Sequence, residues 1–150
     1  MDILEYLETD HDKLRREITV IKQNISYPNI LETIRIFICS YEVHEAIEED
    51  ILMPALNNLP ENKFCHETVF ENEHAHTNIW SHLDKLVDAV KTLDLPTTRK
   101  LMFDFSAYTE SHFGYEERVL FPRIRQALSP EILKSLGEEA KKRFLETTRI

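Results

Sequence analysis

The chain has 150 residues, 42% hydrophobic and 30% charged, which is enough for one domain with a core and too apolar for wholesale disorder. Its formal charge of −9 excludes nucleic acid and anionic membrane as main partners, since both select basic surface. Two glycines and six prolines are too few turn formers for a strand-rich fold, so long helices with few connections are expected.

No apolar run approaches the roughly 20 residues needed to span a bilayer. The start, "MDILEYLETDHDKL", is acidic and amphipathic, without the basic start and apolar run of a signal peptide. Cys39 and Cys65 have no metal-type spacing and are too few for a disulfide scaffold, so they read as reduced and structural. A cytoplasmic protein is expected.

The first segment carries Leu4, Leu7, His11, Leu14, Ile18, Ile21 and Ile25 in steps of three and four, a bundle-helix stripe with a histidine in a core position. "SYPN" breaks it at 26–29. The second segment repeats the rhythm with Ile34, Phe37, Tyr41, His44, Glu48, Ile51 and Ala55, and Pro54 is expected to kink or end it. The third runs from about residue 62 to 92 and carries Val69, Ile79, Leu83, Leu86 and Val90. After "TLDLPTT", with Thr97 or Thr98 as cap, the fourth has Leu101, Phe105, Tyr108, His112, Glu116 and Val119 on one face. "SPEILKSLGEEAKKRFL" opens with Ser129 as cap and Pro130 at the first helical position, and predicts a short fifth helix. The expectation is an all-α fold over residues 1–150 as one domain, an up-down-up-down four-helix bundle with a short additional C-terminal helix.

One phrase occurs twice: "HEAIEEDILMP" at 44–54 and "HFGYEERVLFP" at 112–122 share His, three residues, Glu-Glu, two residues, Leu, one residue, Pro. At about 100° per residue, His11, His44, Glu48, His112 and Glu116 fall near the centres of their apolar faces. Glu49 and Glu117 fall off-centre and are expected to be solvated. On the third helix the periodicity selects His76, with His74 on nearly the opposite side and His66 and His82 at the surface. Chain lengths from each of these residues to the adjoining turn are all about 12–17 residues, so at 1.5 Å per residue they share one height in the bundle. A buried carboxylate without a cation is costly, and no lysine or arginine lies on these faces, so a metal cluster satisfies the set. Imidazoles and carboxylates without thiolates suit iron, manganese or zinc, and two carboxylates able to bridge favour a dinuclear centre.

Asp10-His11, the doubled "HxxxEExxLxP" phrase and the closing "SPEIL" together resemble the hemerythrin-like (HHE cation-binding) domains, over essentially the whole chain. That resemblance implies His11, His44, His76 and His112 as terminal ligands of two iron ions joined by an oxo or hydroxo bridge, with Glu48 and Glu116 bridging. Oxygen-carrying members have third-helix histidines four apart, whereas Asn72 and Trp80 flank His76 at that spacing; their last carboxylate is an aspartate five after its histidine, whereas here it is Glu116 at four. Glu73, three before His76, and Glu45, similar to an extra ligand in the hemerythrin-like domain of an iron-sensing F-box protein, are further ligand candidates, with His74 as the fallback. Tyr41, Tyr108 and Tyr115 are either hydrogen-bond donors near the centre or core residues. The implied function is binding or sensing of oxygen, nitric oxide or iron, with a small diatomic ligand or peroxide as partner and no protein partner indicated. The alternative is a redox enzyme, turning over peroxide or nitric oxide or donating iron for iron–sulfur repair, and the sequence leaves open whether the chain is an enzyme.

Overall fold

A computed structural model describes residues 1–148; the last two of the expected 1–150 domain lie outside the described residues. Among these the chain is all-helical: α1 (Ile3–Gln23), α2 (Ile30–Ile47), α3 (Met53–Asn57), α4 (His66–Lys91), α5 (Leu95–Tyr115), α6 (Phe121–Ala127) and α7 (Pro130–Thr148). None of them is long and apolar enough to cross a membrane.

Local chemistry sets the helix starts. Asp2 accepts from the Glu5 N–H while the Glu5 carboxylate takes the Asp2 N–H, a reciprocal cap on α1. Ser129 caps α7 as expected, its hydroxyl accepting from the Ile132 N–H. The α5 cap is Asp94, whose carboxylate takes both the N–H and the hydroxyl of Thr97, rather than Thr97 or Thr98 itself. The short fifth helix is 19 residues long and packs along α1. Gly137 permits that approach, because a Cβ there would strike the carbonyl oxygen of Met1.

Pro54 and Pro122 do not end their helices. Five residues of π-helix, Glu48–Leu52 and Glu116–Leu120, join α2 to α3 and α5 to α6. At their ends the Met53 N–H donates to the Glu48 carbonyl and the Phe121 N–H to that of Glu116. A proline inside a helix removes one donor and crowds the carbonyl four residues back, and one wide turn relieves both. Each repeated phrase therefore encodes a histidine, then a glutamate opening a π turn, then the proline just beyond it.

Two apolar clusters fill the interior. One contains Ile3, Leu4, Leu7, Ile47, Leu52, Val69 and Leu120; the other Leu14, Ile18, Phe37, Tyr41, Ile79, Leu83, Phe105 and Phe113. Between Leu7 and Leu14 lies His11, between Tyr41 and Ile47 lies His44, between Val69 and Ile79 lies His76, and between Phe113 and Leu120 lies Glu116. All four polar residues thus sit in one layer between the clusters, and successive long helices cross it in alternating directions.

Candidate metal centre

Two groups of buried side chains form this layer. In each, one potential ligand atom per residue lies within 4.8 Å of all the others: His11, His44, Glu48 and Glu116 in the first, Glu45, Glu48, His76 and His112 in the second. Glu48 belongs to both. Its Oε1 stands 3.3 Å from His44 Nε2 and its Oε2 2.7 Å from His76 Nε2, so its two oxygens face different groups. Glu116 spans them too, with Oε1 3.2 Å from His11 Nε2 and 3.4 Å from His112 Nε2, and Oε2 3.9 Å from His76 Nε2.

These are ion-pair distances without hydrogen-bond alignment. His11 Nε2, His44 Nε2, His112 Nε2 and both oxygens of Glu48 and Glu116 are buried with no hydrogen-bond partner. Leaving that many polar atoms unpaired costs several kcal/mol. Convergent imidazole nitrogens and carboxylate oxygens are the donor set that divalent and trivalent first-row metals take. The residues present therefore fit a metal centre.

Burial works against charge throughout the layer, and the neighbouring charges decide the outcome. His44 is held well above the ordinary imidazole value because Asp10 and Glu48 overcome its desolvation; Glu116 and Glu117 do the same for His11. Glu48, with His76 and His44 beside it, is held well below the carboxylate range despite full burial. His112 goes the other way, lowered by burial. Glu45 is pushed up to about 8 by burial, with His76 pulling it back only partly. Without a cation these neighbours favour protons on His11 and His44 but not on His112, and cation binding displaces them.

The opposite faces of His11 and His44 are also held, and that of His76 faces carboxylates without a hydrogen bond. His11 Nδ1 meets Glu117 Oε2 at 2.9 Å, and Arg15 clamps that carboxylate with two bonds of 2.8 Å. His44 Nδ1 meets Asp10 Oδ2 at 2.9 Å. His76 Nδ1 faces Glu45 Oε2 at 3.2 Å and Glu49 Oε1 at 3.6 Å, and Glu49 also accepts from Trp80 Nε1 at 2.5 Å. A carboxylate on Nδ1 fixes the tautomer that leaves the Nε2 lone pair for a cation. The paired glutamates divide the work: Glu48 and Glu116 face Nε2 atoms, while Glu49 and Glu117 back Nδ1 atoms.

The family model described as "Hemerythrin HHE cation binding domain" matches residues 2–99. The chain belongs to this hemerythrin family. The match takes in His11, His44, Glu48 and His76 and stops before His112 and Glu116, which the fold brings into the same layer. No match was found among curated proteins or among solved structures.

Within this hemerythrin domain the structure gathers the six principal residues of the sequence reading, and Glu45 with them. Glu45, a further ligand candidate in the sequence, is fully buried. Glu73 and His74 are exposed and outside both groups; Glu73 accepts a bond from Asn57. Glu49 and Glu117 correct the expectation of solvated glutamates, since a long side chain at the edge of the face reaches back to the imidazole. Asp10 entered the sequence reading only as part of the Asp10-His11 motif, without a role, and Arg15 was not singled out; the signals were Asp10 directly before His11 and the doubled Glu-Glu. Tyr41 shares a hydrogen bond with Thr109 and Tyr108 donates to the Ala75 carbonyl, so neither hydroxyl serves the centre. His66 is exposed, and His82 lies beside Phe105 and Tyr108. Cys39 and Cys65 are free and exposed, which corrects their reading as structural residues.

Proposed function

We propose that this hemerythrin domain holds two iron ions and uses them to bind or sense a small molecule, oxygen or nitric oxide, or to respond to iron itself. The observation that carries this reading is Glu48, fully buried, with each oxygen facing a different group of potential ligands. In this reading His11 and His44 would hold one ion and His76 and His112 the other, with Glu48 and Glu116 available to both. The alternating passage of α1, α2, α4 and α5 through the polar layer supports an up-down-up-down four-helix bundle, in one domain, with α7 laid along α1. Two free cysteines are compatible with a reducing, cytoplasmic setting.

Bound iron would supply a redox couple and open coordination positions for a small ligand. The protein's own part is to hold His11 and His44 by their Nδ1 atoms, to supply two spanning carboxylates, and to wrap the layer in apolar packing that limits water. The test is iron-loaded protein followed by absorption spectroscopy through anaerobic reduction and re-exposure to oxygen or nitric oxide. The reading requires bands that disappear on reduction and return on exposure; a spectrum indifferent to both would leave only a structural metal. Steady consumption of peroxide in the same preparation would move the assignment to the redox-enzyme alternative.

A further inference from the structure

The two groups meet solvent differently. His11 and His44 are fully buried. The His11 ring lies stacked on Phe113 at 3.8 Å between centroids with Phe121 beyond, and His44 packs against Tyr41 and Phe113. Their Nδ1 atoms are taken by Glu117 and Asp10. That end is closed by aromatic rings and carboxylates.

The other end is open. His112 is 7% exposed, the most of the six principal residues, and it floors a cleft of about 320 Å³ between α4 and α5, walled by Asn72, Ala75, Tyr108, Ser111 and Tyr115. Asn72 is 1% exposed and its Oδ1 has no hydrogen-bond partner. Its Nδ2 has His76 Nε2 at 3.3 Å and Met53 Sδ at 3.7 Å. His76 Nε2 is also the atom facing Glu48 at 2.7 Å. Once that lone pair is given to a cation it no longer accepts from Asn72, and the amide keeps one weak sulfur contact. A buried amide in that position is costly unless a polar partner arrives from the cleft.

We propose that a small exogenous ligand reaches the centre through the cleft between α4 and α5, at the His76/His112 half, and that Asn72 holds it there by donating from Nδ2. This rests on the metal-centre reading above. The ligand is a molecule of two or three heavy atoms with an exposed acceptor. It is neutral or singly charged, because Glu71 at the rim disfavours higher anions and the Tyr108 hydroxyl is already engaged by Ala75.

The probe is azide, titrated by calorimetry into metal-loaded protein whose metal content is measured on the same sample. Asn72→Leu removes the donor at nearly constant volume, and Ala75→Phe narrows the cleft. Both are expected to keep the wild-type metal content and helical circular dichroism. Asn72→Leu should weaken azide about tenfold, the value of one hydrogen bond. Ala75→Phe should slow azide association in stopped-flow. Labelling of His112 by diethyl pyrocarbonate, mapped by peptide mass spectrometry in the protein as purified, reads the path without any bound ligand and should fall in Ala75→Phe while exposed His66 and His74 label as before. Unchanged azide affinity and association in fully metal-loaded variants overturn the access path alone. Wild-type protein that takes up no metal overturns the centre itself, and unchanged His112 labelling in that case overturns the path as well.

Discussion

Glu117→Ala tests whether the carboxylates behind the imidazoles tune the centre. In the structure Glu117 accepts from buried His11 Nδ1 at 2.9 Å and from Arg15 through two bonds of 2.8 Å. Truncation leaves the His11 N–H buried without an acceptor, which costs about 1–3 kcal/mol. Arg15 keeps Asp12 and Glu110 as partners, so little of the loss arises there. Removing a carboxylate behind a metal-binding imidazole typically lowers metal affinity about 10–100-fold. Glu117→Ala should therefore unfold at lower denaturant in the metal-free form and release iron to a competing chelator about 10–100 times more readily. Glu117→Gln, which retains one acceptor for Nδ1, should fall between. The paired counterpart Glu49→Ala should show the same sign with a smaller size, since its oxygen stands 3.6 Å from His76 Nδ1. Unchanged chelator competition in Glu117→Ala would refute the division of labour within each Glu-Glu pair.

Three further perturbations probe the frame around the centre. Pro122→Ala lets an ordinary helical bond replace the π turn at Glu116–Leu120; it should preserve helicity by circular dichroism while weakening metal binding, because Glu116 opens that turn. Leu93 is exposed at φ 57 in the turn after α4, a conformation that penalises a side chain, so Leu93→Gly should raise stability in urea by about 0.5–1 kcal/mol. Asp2→Ala removes the α1 cap and should cost about 1 kcal/mol near neutral pH. Although partial burial opposes it, Arg125 and the capped N–H groups lower the Asp2 pKa from 3.8. The stabilisation is therefore complete above pH 3.8 and lost as pH falls through the lower folded value, and wild type and Asp2→Ala should converge in acid unfolding there.

Much of the centre was legible in the sequence because burial and periodicity are linked. His11, His44, Glu48, His76, His112 and Glu116 lie at the centres of apolar stripes, and a stripe centre has nowhere to go but the interior. Edge positions were harder. Glu45 is at the edge of its stripe and Glu49 and Glu117 lie about 40° further round, yet all three reach the layer, Glu45 fully buried and the other two partly exposed. The π turns were hidden for another reason. Pro54 and Pro122 obey the rule that proline disrupts a helix, but the disruption takes the form of one widened turn, and the sequence alone does not distinguish that from an end. The fifth helix was read across Gly137 over 129–145, but its packing role was not: Gly137 serves as the contact point with Met1.

The central claim is that the two groups of buried residues hold two metal ions that share Glu48 and Glu116. The most direct test is metal content per chain by mass spectrometry, after iron reconstitution and desalting, in wild type and in Glu48→Ala and Glu116→Ala. The account requires two irons per chain in wild type and a clear loss in both variants while circular dichroism still reports helix. One iron or none in wild type, or two irons undisturbed by either substitution, would contradict it.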